Sequence, residues 1–217
     1  MKKIVITGAL GYIGTELCKL YSGFSWKYNV TALDNRFVSE RVNELKRRKI
    51  KFVQADILNT NEIKKYINDA DVVHHLAGIT DVAYVKKDAD IEKDALTEKV
   101  AIEGTANVLD CMNSNALIVF PSTHVVFEGL KSQKKDIDEN EKTSTFLSYS
   151  TSKVKNEEQI INSNKKHIIF RLGSVYGFST DTMRINIMPN LFSKIASQNG
   201  EIKLFGGGTQ LKSLVPL

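Results

Sequence analysis

Tyr149 and Lys153 lie four apart in Tyr149-Ser150-Thr151-Ser152-Lys153, near the start of a predicted helix. Residues i and i+4 share a helix face, so a phenol and an ammonium project into one site. A free tyrosine has a pKa of about 10, too high for a base at neutral pH. A nearby ammonium, together with positive charge on a bound cofactor ring, favours the phenolate. Tyr-x-x-x-Lys by itself occurs on many surface helices. Its position strengthens it, because a predicted strand ending in Pro121-Ser122-Thr123-His124 comes before it. Thr123 could hydrogen-bond a reacting hydroxyl and turn it toward Tyr149, although a threonine there could equally just form a turn. His124 follows at the same rim. Its titration range would let it contact a substrate or donate a proton.

A second constellation opens the chain. Lys2 to Thr7 reads as a short apolar strand, and Gly8, Gly11 and Gly14 follow at three-residue spacing. Tyr12, Ile13, Leu17 and Leu20 then continue at helical intervals. A helix N-terminus presents unpaired N–H groups and partial positive charge, which suits a pyrophosphate. Gly8 permits the tight turn, Gly11 lets phosphate reach the main chain, and Gly14 lets the helix pack close to the sheet. The spacing differs by one residue from the G-x-G-x-x-G dinucleotide fingerprint. The next strand, Tyr28 to Leu33, is followed by Asp34, about 20 residues beyond the last glycine, where an acidic side chain accepts from the adenosine ribose hydroxyls. A carboxylate there repels a 2′-phosphate and favours NAD over NADP. Arg36, two residues on, could hold that phosphate, and Asp34 with Asn35 could also be a plain turn.

These residues must be placed by the elements around them. Apolar strands read at 2–7, 28–33, 51–55, 71–76, 116–121 and 167–172, with helical segments near 12–22, 39–48, 60–69, 88–113 and 146–163. Asn59 with Glu62 resembles a capping box. Consecutive apolar residues such as Ala116 to Phe120 fit strands buried on both faces. The alternation predicts an α/β fold: a doubly wound parallel sheet, Rossmann-like, whose ligands sit beyond the carboxyl ends of the strands. The polar stretch 128–145 reads as a surface loop. After Gly177 the pattern changes: a helix interrupted near Pro189, a strand over Glu201–Phe205, a glycine turn at 206–208, and a strand over 210–215. The reading is a cofactor domain over 1–177 and a partial substrate region over 178–217, cut off in mid-pattern.

The 217 residues suffice for one such domain and slightly more, and the 42% hydrophobic and 25% charged content is that of a soluble globular protein. The net charge of +5 is concentrated at Lys46-Arg47-Arg48-Lys49, read as a solvated helix end. No aromatic residues interleave with it, so nucleic acid is not expected. Cys18 and Cys111 have neither metal-ligand nor disulfide spacing, and no metal is expected. No stretch has the length of a membrane span, and Met1-Lys2-Lys3 leads into a strand rather than a signal sequence. A cytoplasmic protein without membrane contact is the expectation. His74 and His75 are adjacent on a strand and point to opposite faces.

The chain resembles the extended short-chain dehydrogenase/reductase family, the NAD-dependent epimerases and dehydratases of nucleotide sugars. The resemblance rests on Thr7-Gly8-Ala9-Leu10-Gly11-Tyr12-Ile13-Gly14, Asp34, Asp56-Ile57, His75-Leu76-Ala77-Gly78, Gly104-Thr105-Ala106-Asn107-Val108-Leu109, Ser122-Thr123, Tyr149 to Lys153, and Arg171 to Gly177. It implies that Asp56 and Ile57 contact adenine, that Leu76 and Ala77 line the cofactor, and that Thr123, Tyr149 and Lys153 form a catalytic triad. It further implies that Lys153 holds the nicotinamide ribose and that two copies pair through the helices near 88–113 and 146–163.

Departures from the family pattern shape the expected reaction. Ala101 stands where an asparagine is common, and Ser174 where many epimerases carry a substrate-binding asparagine. His124-Val125 replaces the Asp-Glu pair of the dehydratases, and a valine does no acid–base work, so 4,6-dehydration is not expected. The leading expectation is an NAD-dependent nucleotide-sugar epimerase acting at C4, with Tyr149 as base. Ser122 to Gly129 partly resembles 4-keto-sugar reductases, which keeps NAD(P)H-dependent reduction as an alternative. A non-catalytic NAD-binding protein of the same fold is the third. The sugar is expected to be read by loops around 79–90, 124–145 and 174–217.

Overall fold

A computed structural model of the chain describes residues 1–80, 91–179 and 182–217. Six parallel strands form the main sheet: β1 (Lys2–Thr7), β2 (Tyr28–Asp34), β3 (Lys51–Gln54), β4 (Val72–His75), β5 (Leu117–Thr123) and β6 (Lys166–Leu172). Their order across the sheet is β3-β2-β1-β4-β5-β6. The order reverses between β1 and β4, and this switch point is where an open parallel sheet forms a ligand crevice. The sheet and its helices are the expected doubly wound, Rossmann-like α/β architecture.

Five helices follow the strands: α1 (Tyr12–Ser22), α2 (Ser39–Arg47), α3 (Thr60–Ile67), α4 (Ile91–Cys111) and α5 (Ser148–Asn162). The part of the fourth helix expected over 88–90 lies outside the described residues. β1 explains the two-sided core. Ile4 and Ile6 join a cluster with Cys18 and Leu45, while Val5 between them joins Ile63, Ile67, Val108 and Ile160 on the opposite face. Alternate residues of a strand face opposite ways, so an unbroken apolar run serves two helix layers. Each fully buried isoleucine contributes about 1.5–3 kcal/mol. On α1 the sheet-facing residues are Gly14 and Cys18, whereas Leu20 is exposed, because the glycine brings that face of the helix against the sheet.

At α3, Asn59 Oδ1 accepts from the Asn61 N–H at 3.2 Å, as a cap should. Glu62 departs from the box: its carboxylate takes the Asp56 N–H at 2.8 Å and the Asn59 Nδ2 at 2.8 Å, tying the cap to the end of β3.

The tail differs from the sequence reading in three places. Pro189 does not interrupt a helix; it lies in the first turn of α6 (Met188–Ser197), where its missing N–H has no helical partner to lose. Residues 201–204 form no strand, and Phe205–Gly208 is a short 3-10 turn in which all three glycines have positive φ. Their strand register is broken by that turn. Pairing resumes only as β8 (Leu214–Pro216), parallel to β7 (Ser174–Tyr176) in a separate two-stranded sheet.

The tightest backbone approach lies at the switch point. Gly8 has φ +67°, and a Cβ there would lie 2.7 Å from the Ala77 nitrogen. A Cβ on Gly14 would lie 2.4 Å from the Gly8 carbonyl oxygen and 2.8 Å from the Ala9 Cα. Gly14→Ala is therefore expected to lose about 1–3 kcal/mol of stability. Urea unfolding measures it, and an unchanged midpoint would mean that the helix start does not pack this closely.

Candidate active site

The first half of the site is the loop from Gly8 to Gly14. Gly11 occupies the N-cap position of α1 in extended backbone and supplies no side-chain cap, so the first N–H groups of the helix face the crevice uncapped by a side chain. Tyr12 and Ile13 begin that helix, both half-buried. The Tyr12 hydroxyl donates to the Gly177 carbonyl at 2.6 Å. Buried Asn190 accepts from the Gly177 N–H at 3.0 Å and donates to the Arg184 carbonyl at 2.9 Å. The loop is thereby tied to the chain that follows β7.

Asp34 ends β2, buried. Its carboxylate accepts from the Leu10 N–H at 2.9 Å and from the Arg36 N–H and Nε at 3.1 Å each. Arg36 is thus engaged with Asp34, and Asp34 braces the glycine loop from beneath. Asp56 caps its own turn, accepting from the Leu58 N–H at 2.9 Å. The Ile57 side chain is in the core, where it fills the space over Gly104 of α4; a Cβ on Gly104 would meet Ile57 Cδ1 at 2.4 Å. Only its backbone is left to meet a ligand. Leu76 packs with the α1-side core, and the Ala77 N–H donates to Thr7 Oγ1 at 3.2 Å beside Gly8.

The second half lies across the switch point, where α5 runs beside β5. Thr123 is buried, and its Oγ1 accepts from the Val125 N–H at 3.2 Å, starting a 3-10 turn over His124–Phe127. Lys153 Nζ donates to the Pro121 carbonyl at 2.8 Å and lies 4.2 Å from the centre of the Phe120 ring and 6.0 Å from that of Tyr149. The i, i+4 spacing does place phenol and ammonium on one helix face, at the end of the strand that carries Thr123. Desolvation lowers the Lys153 ammonium to about 8, against the opposing pull of the Glu157 carboxylate. His124 is half-buried, with Nδ1 hydrogen-bonded to the Leu172 carbonyl at 3.0 Å, and burial lowers its pKa. Ser174 begins β7, its N–H donating to the Ser213 carbonyl at 2.7 Å.

Two carboxylates here carry structural weight that the motif reading missed. Glu128 Oε1 accepts from the Phe146 and Leu147 N–H groups at 3.0 and 2.8 Å and from the Ser150 hydroxyl. It caps α5 from outside the helix, since Leu147 at the N-cap offers no side-chain acceptor. Its Oε2 is buried without a hydrogen-bond partner among the described residues. Glu157, also buried, receives the Ser122 hydroxyl and the Arg171 guanidinium. Glu157 was findable, because it falls at i+4 from Lys153 on the same helix face. Glu128 was not, because its partners are about 20 residues away in sequence.

Among the described residues no cluster of His, Cys, Asp and Glu is arranged to hold a metal. No described helix is long and apolar enough to cross a membrane. The two histidines of β4 diverge: His74 Nε2 meets the Tyr21 hydroxyl at 2.8 Å, while His75 meets Thr7 at 2.9 Å and Thr105 at 3.0 Å.

The sequence profile of the NAD dependent epimerase/dehydratase family matches residues 4–215. The chain belongs to that family. Its cofactor is NAD, and the residues fit it: a cradle at Gly8 and Gly14 that any Cβ would fill, an N-terminus of α1 without a side-chain cap, and a buried carboxylate at the end of β2. The chain is 25% identical over 220 residues to a UDP-N-acetyl-alpha-D-glucosaminuronate decarboxylase of Bacillus cytotoxicus, covering 97% of this chain and 66% of that protein. It is 26% identical over 147 residues to a 3beta-hydroxysteroid-dehydrogenase/decarboxylase isoform of Arabidopsis thaliana, covering 61% of this chain and 24% of that one. The UDP-glucuronic acid 4-epimerase of Bacillus cereus, solved with UDP-glucuronic acid and NAD, superposes with a TM-score of 0.79 at 24% identity, over 99% of this chain and 69% of that one. The UDP-glucose 4-epimerase of Thermotoga maritima gives 0.82 at 21%, over the same shares. At those identities the solved structures establish a common fold. The chain spans from about a quarter to two thirds of the length of the curated relatives it matches.

His75 is buried and His74 half-buried, and desolvation sets how both titrate. Burial, reinforced by the charge of Lys153, lowers His75 from 6.5 to about 3, and burial lowers His74 to about 4. The unfolded chain binds these protons near pH 6.5 while the folded chain refuses them. The stability they confer is fully present above pH 6.5 and is lost as pH falls toward their folded values. Urea midpoints are expected to drop steadily from pH 6.5 to 4, and less steeply in His75→Gln; equal slopes in the two proteins would remove His75 from the account.

Proposed function

We propose that this chain is the cofactor-binding and catalytic part of a nucleotide-sugar epimerase, with residues 1–177 holding NAD and 178–217 contributing to the sugar-nucleotide side. The observation that carries the reading is the Lys153 ammonium bound to the Pro121 carbonyl at the end of the strand that carries Thr123, 6.0 Å from the centre of the Tyr149 ring. A pure cofactor binder needs no phenol aligned with an ammonium at a strand end. The names of the relatives support the substrate class, since several are enzymes of UDP-sugars.

NAD, when bound, supplies the reversible acceptor of hydride from a sugar carbon, for which C4 is proposed. Tyr149 takes the proton of the sugar hydroxyl at that carbon and later returns it. An ammonium near a phenol stabilises its deprotonated form; Lys153 provides that charge and would hold the nicotinamide ribose. Thr123 orients the hydroxyl through Oγ1. His124 and Ser174 stand at the rim and contact the substrate. Gly8 to Gly14 would receive the pyrophosphate and Asp34 the adenosine ribose, with the Asp56–Ile57 backbone and Leu76–Ala77 available to line the cofactor.

Net reduction of a keto sugar is the second reading, favoured by Ser122 to Gly129, whose sequence partly resembles 4-keto-sugar reductases. Consumption of NADH with a 4-keto substrate separates the two. A cytoplasmic location accords with both, and we place the partner surface of a homodimer on α4 and α5, where Leu96 and Ile161 are exposed. Sedimentation equilibrium is expected to give twice the chain mass; a monomer at micromolar concentration would remove this interface.

The deciding experiment offers the chain NAD and UDP-, GDP-, CDP- and dTDP-sugars, with the sugar followed by proton NMR. A new sugar resonance is expected, reduced about 10²–10⁴-fold in rate by Tyr149→Phe, with NAD affinity nearly unchanged. Substantial turnover by the Tyr149→Phe protein would overturn the role of the phenol.

A further inference from the structure

Behind the Tyr149–Lys153 pair lies a buried ionic cluster to which the proposed reaction assigns no part. Glu157 is one turn beyond Lys153 on α5, and its side chain is 7% exposed. Its Oε2 receives Arg171 Nη2 at 2.7 Å, and both carboxylate oxygens receive Nε at 3.2 Å. Oε1 also receives the Ser122 hydroxyl. Arg171 is held in turn by the Glu139 carbonyl at 3.1 Å and by the face of Phe127 at 5.4 Å. Ser122 lies between two functional neighbours. The carbonyl of Pro121 before it accepts from Lys153, and Thr123 follows it. One carboxylate therefore grips the dipeptide that presents both groups, and does so from the helix that presents Tyr149 and Lys153.

A buried ion pair stabilises little by itself, because desolvating two charges costs about as much as their attraction returns. Its retention here has a positional explanation. α5 and the end of β5 are separate elements, and without a cross-link the distance between phenol and threonine would vary with every slide of helix over sheet. The pair is also asymmetric in effect. Arg171 lies on β6 and neutralises part of the carboxylate, and the charge that Glu157 retains favours the ammonium of Lys153 one turn before it on α5.

We propose that Glu157 is a positioning residue for this site: through Ser122 it locks the end of β5 against α5, and through its charge it holds the Lys153 ammonium in place. Its purpose rests on the oxidoreductase reading above, but its test needs neither substrate nor cofactor. Among the described residues, the charged and titratable groups that act on Lys153 are Glu157 and Tyr149 on its own helix, His75 on β4, and Arg171 on β6 through Glu157; β5 offers the Phe120 ring and the Pro121 carbonyl. His75 stays neutral across the useful range, so Glu157 is the group that counters desolvation.

The measurement is the pH titration of the Lys153 side chain by the ¹³Cε signal of lysine-labelled protein, assigned by its loss in Lys153→Met. The native midpoint is expected near 8. Glu157→Gln keeps the shape and removes the charge, and the midpoint is expected to fall by about one pH unit. A purely structural glutamate would leave it unmoved, and an unmoved midpoint in a folded Glu157→Gln protein overturns the proposal. Should that variant not fold, Arg171→Gln approaches from the other side: Glu157 then keeps its full charge for Lys153, and the midpoint rises. No rise overturns the proposal equally. Because the titration is read without turnover, silence across the sugar panel would count against the epimerase reading and leave this result standing.

Discussion

The contact on which the rest of this structure depends is backbone against backbone at the end of β1. Gly8 lies with positive φ directly over Leu76 and Ala77, leaving no room for a side chain. That approach brings the first loop across the switch point of the sheet and lets α1 start close to the sheet rather than above it. Every other feature of the cofactor crevice is arranged around this. Asp34 reaches under the loop to Leu10, Thr7 receives the Ala77 N–H, and Tyr12 reaches out to Gly177. A parallel sheet has its strand carboxyl ends on one edge, and the glycine contact shapes the crevice at that edge, where open α/β sheets bind ligands.

The polar interior follows one logic on both sides of the cleft. Among the described residues, polar side chains of the interior bond to partners on other elements, joining strand to helix, helix to helix or loop to loop. His75 links β1 to α4 through Thr7 and Thr105. Asn113 closes the edge after α4 by donating to the Asn68 and Ala70 carbonyls. Asn156 of α5 donates to the Ala101 carbonyl of α4, and at the surface of the same helix pair Lys155 meets Glu98. An unsatisfied polar atom in such a place would cost about 1–3 kcal/mol, so these bonds select one registration of helix on sheet. The buried Oε2 of Glu128 is the exception, and it lies at the N-terminus of the helix that carries Tyr149 and Lys153.

Much of the fold was legible in the sequence because parallel sheets buried on both faces advertise themselves. Runs such as Ile4-Val5-Ile6 and Ile118-Val119-Phe120 are apolar on consecutive residues, and helical patterns fall between them. The ends of elements were less legible, as the first turn of α6 illustrates: a proline reads as a breaker until the surrounding structure decides on which side of it the helix lies. Within the candidate site, the groups readable in advance were those related by helical or loop spacing. Tyr149 and Lys153 are four apart, and the three glycines repeat every three. Contacts across elements had no such signature. Glu128 to Leu147 and Ser122 to Glu157 join residues whose separation in sequence carries no period.

The sequence by itself determined the order of strands and helices, the glycine cradle, the acidic end of β2, and the face shared by Tyr149 and Lys153. All of these follow from local geometry: the two-residue period of a strand, the 3.6-residue turn of a helix, and the conformations only glycine tolerates. The tertiary structure alone decided which charges are neutralised and by whom. It closed Arg36 onto Asp34, placed Arg171 and Ser122 on Glu157, buried the side chain of Ile57 over Gly104, and paired β7 with β8. Hydrogen bonds and ion pairs act at about 3 Å between atoms, and no spacing along the chain specifies which distant residues will be brought that close.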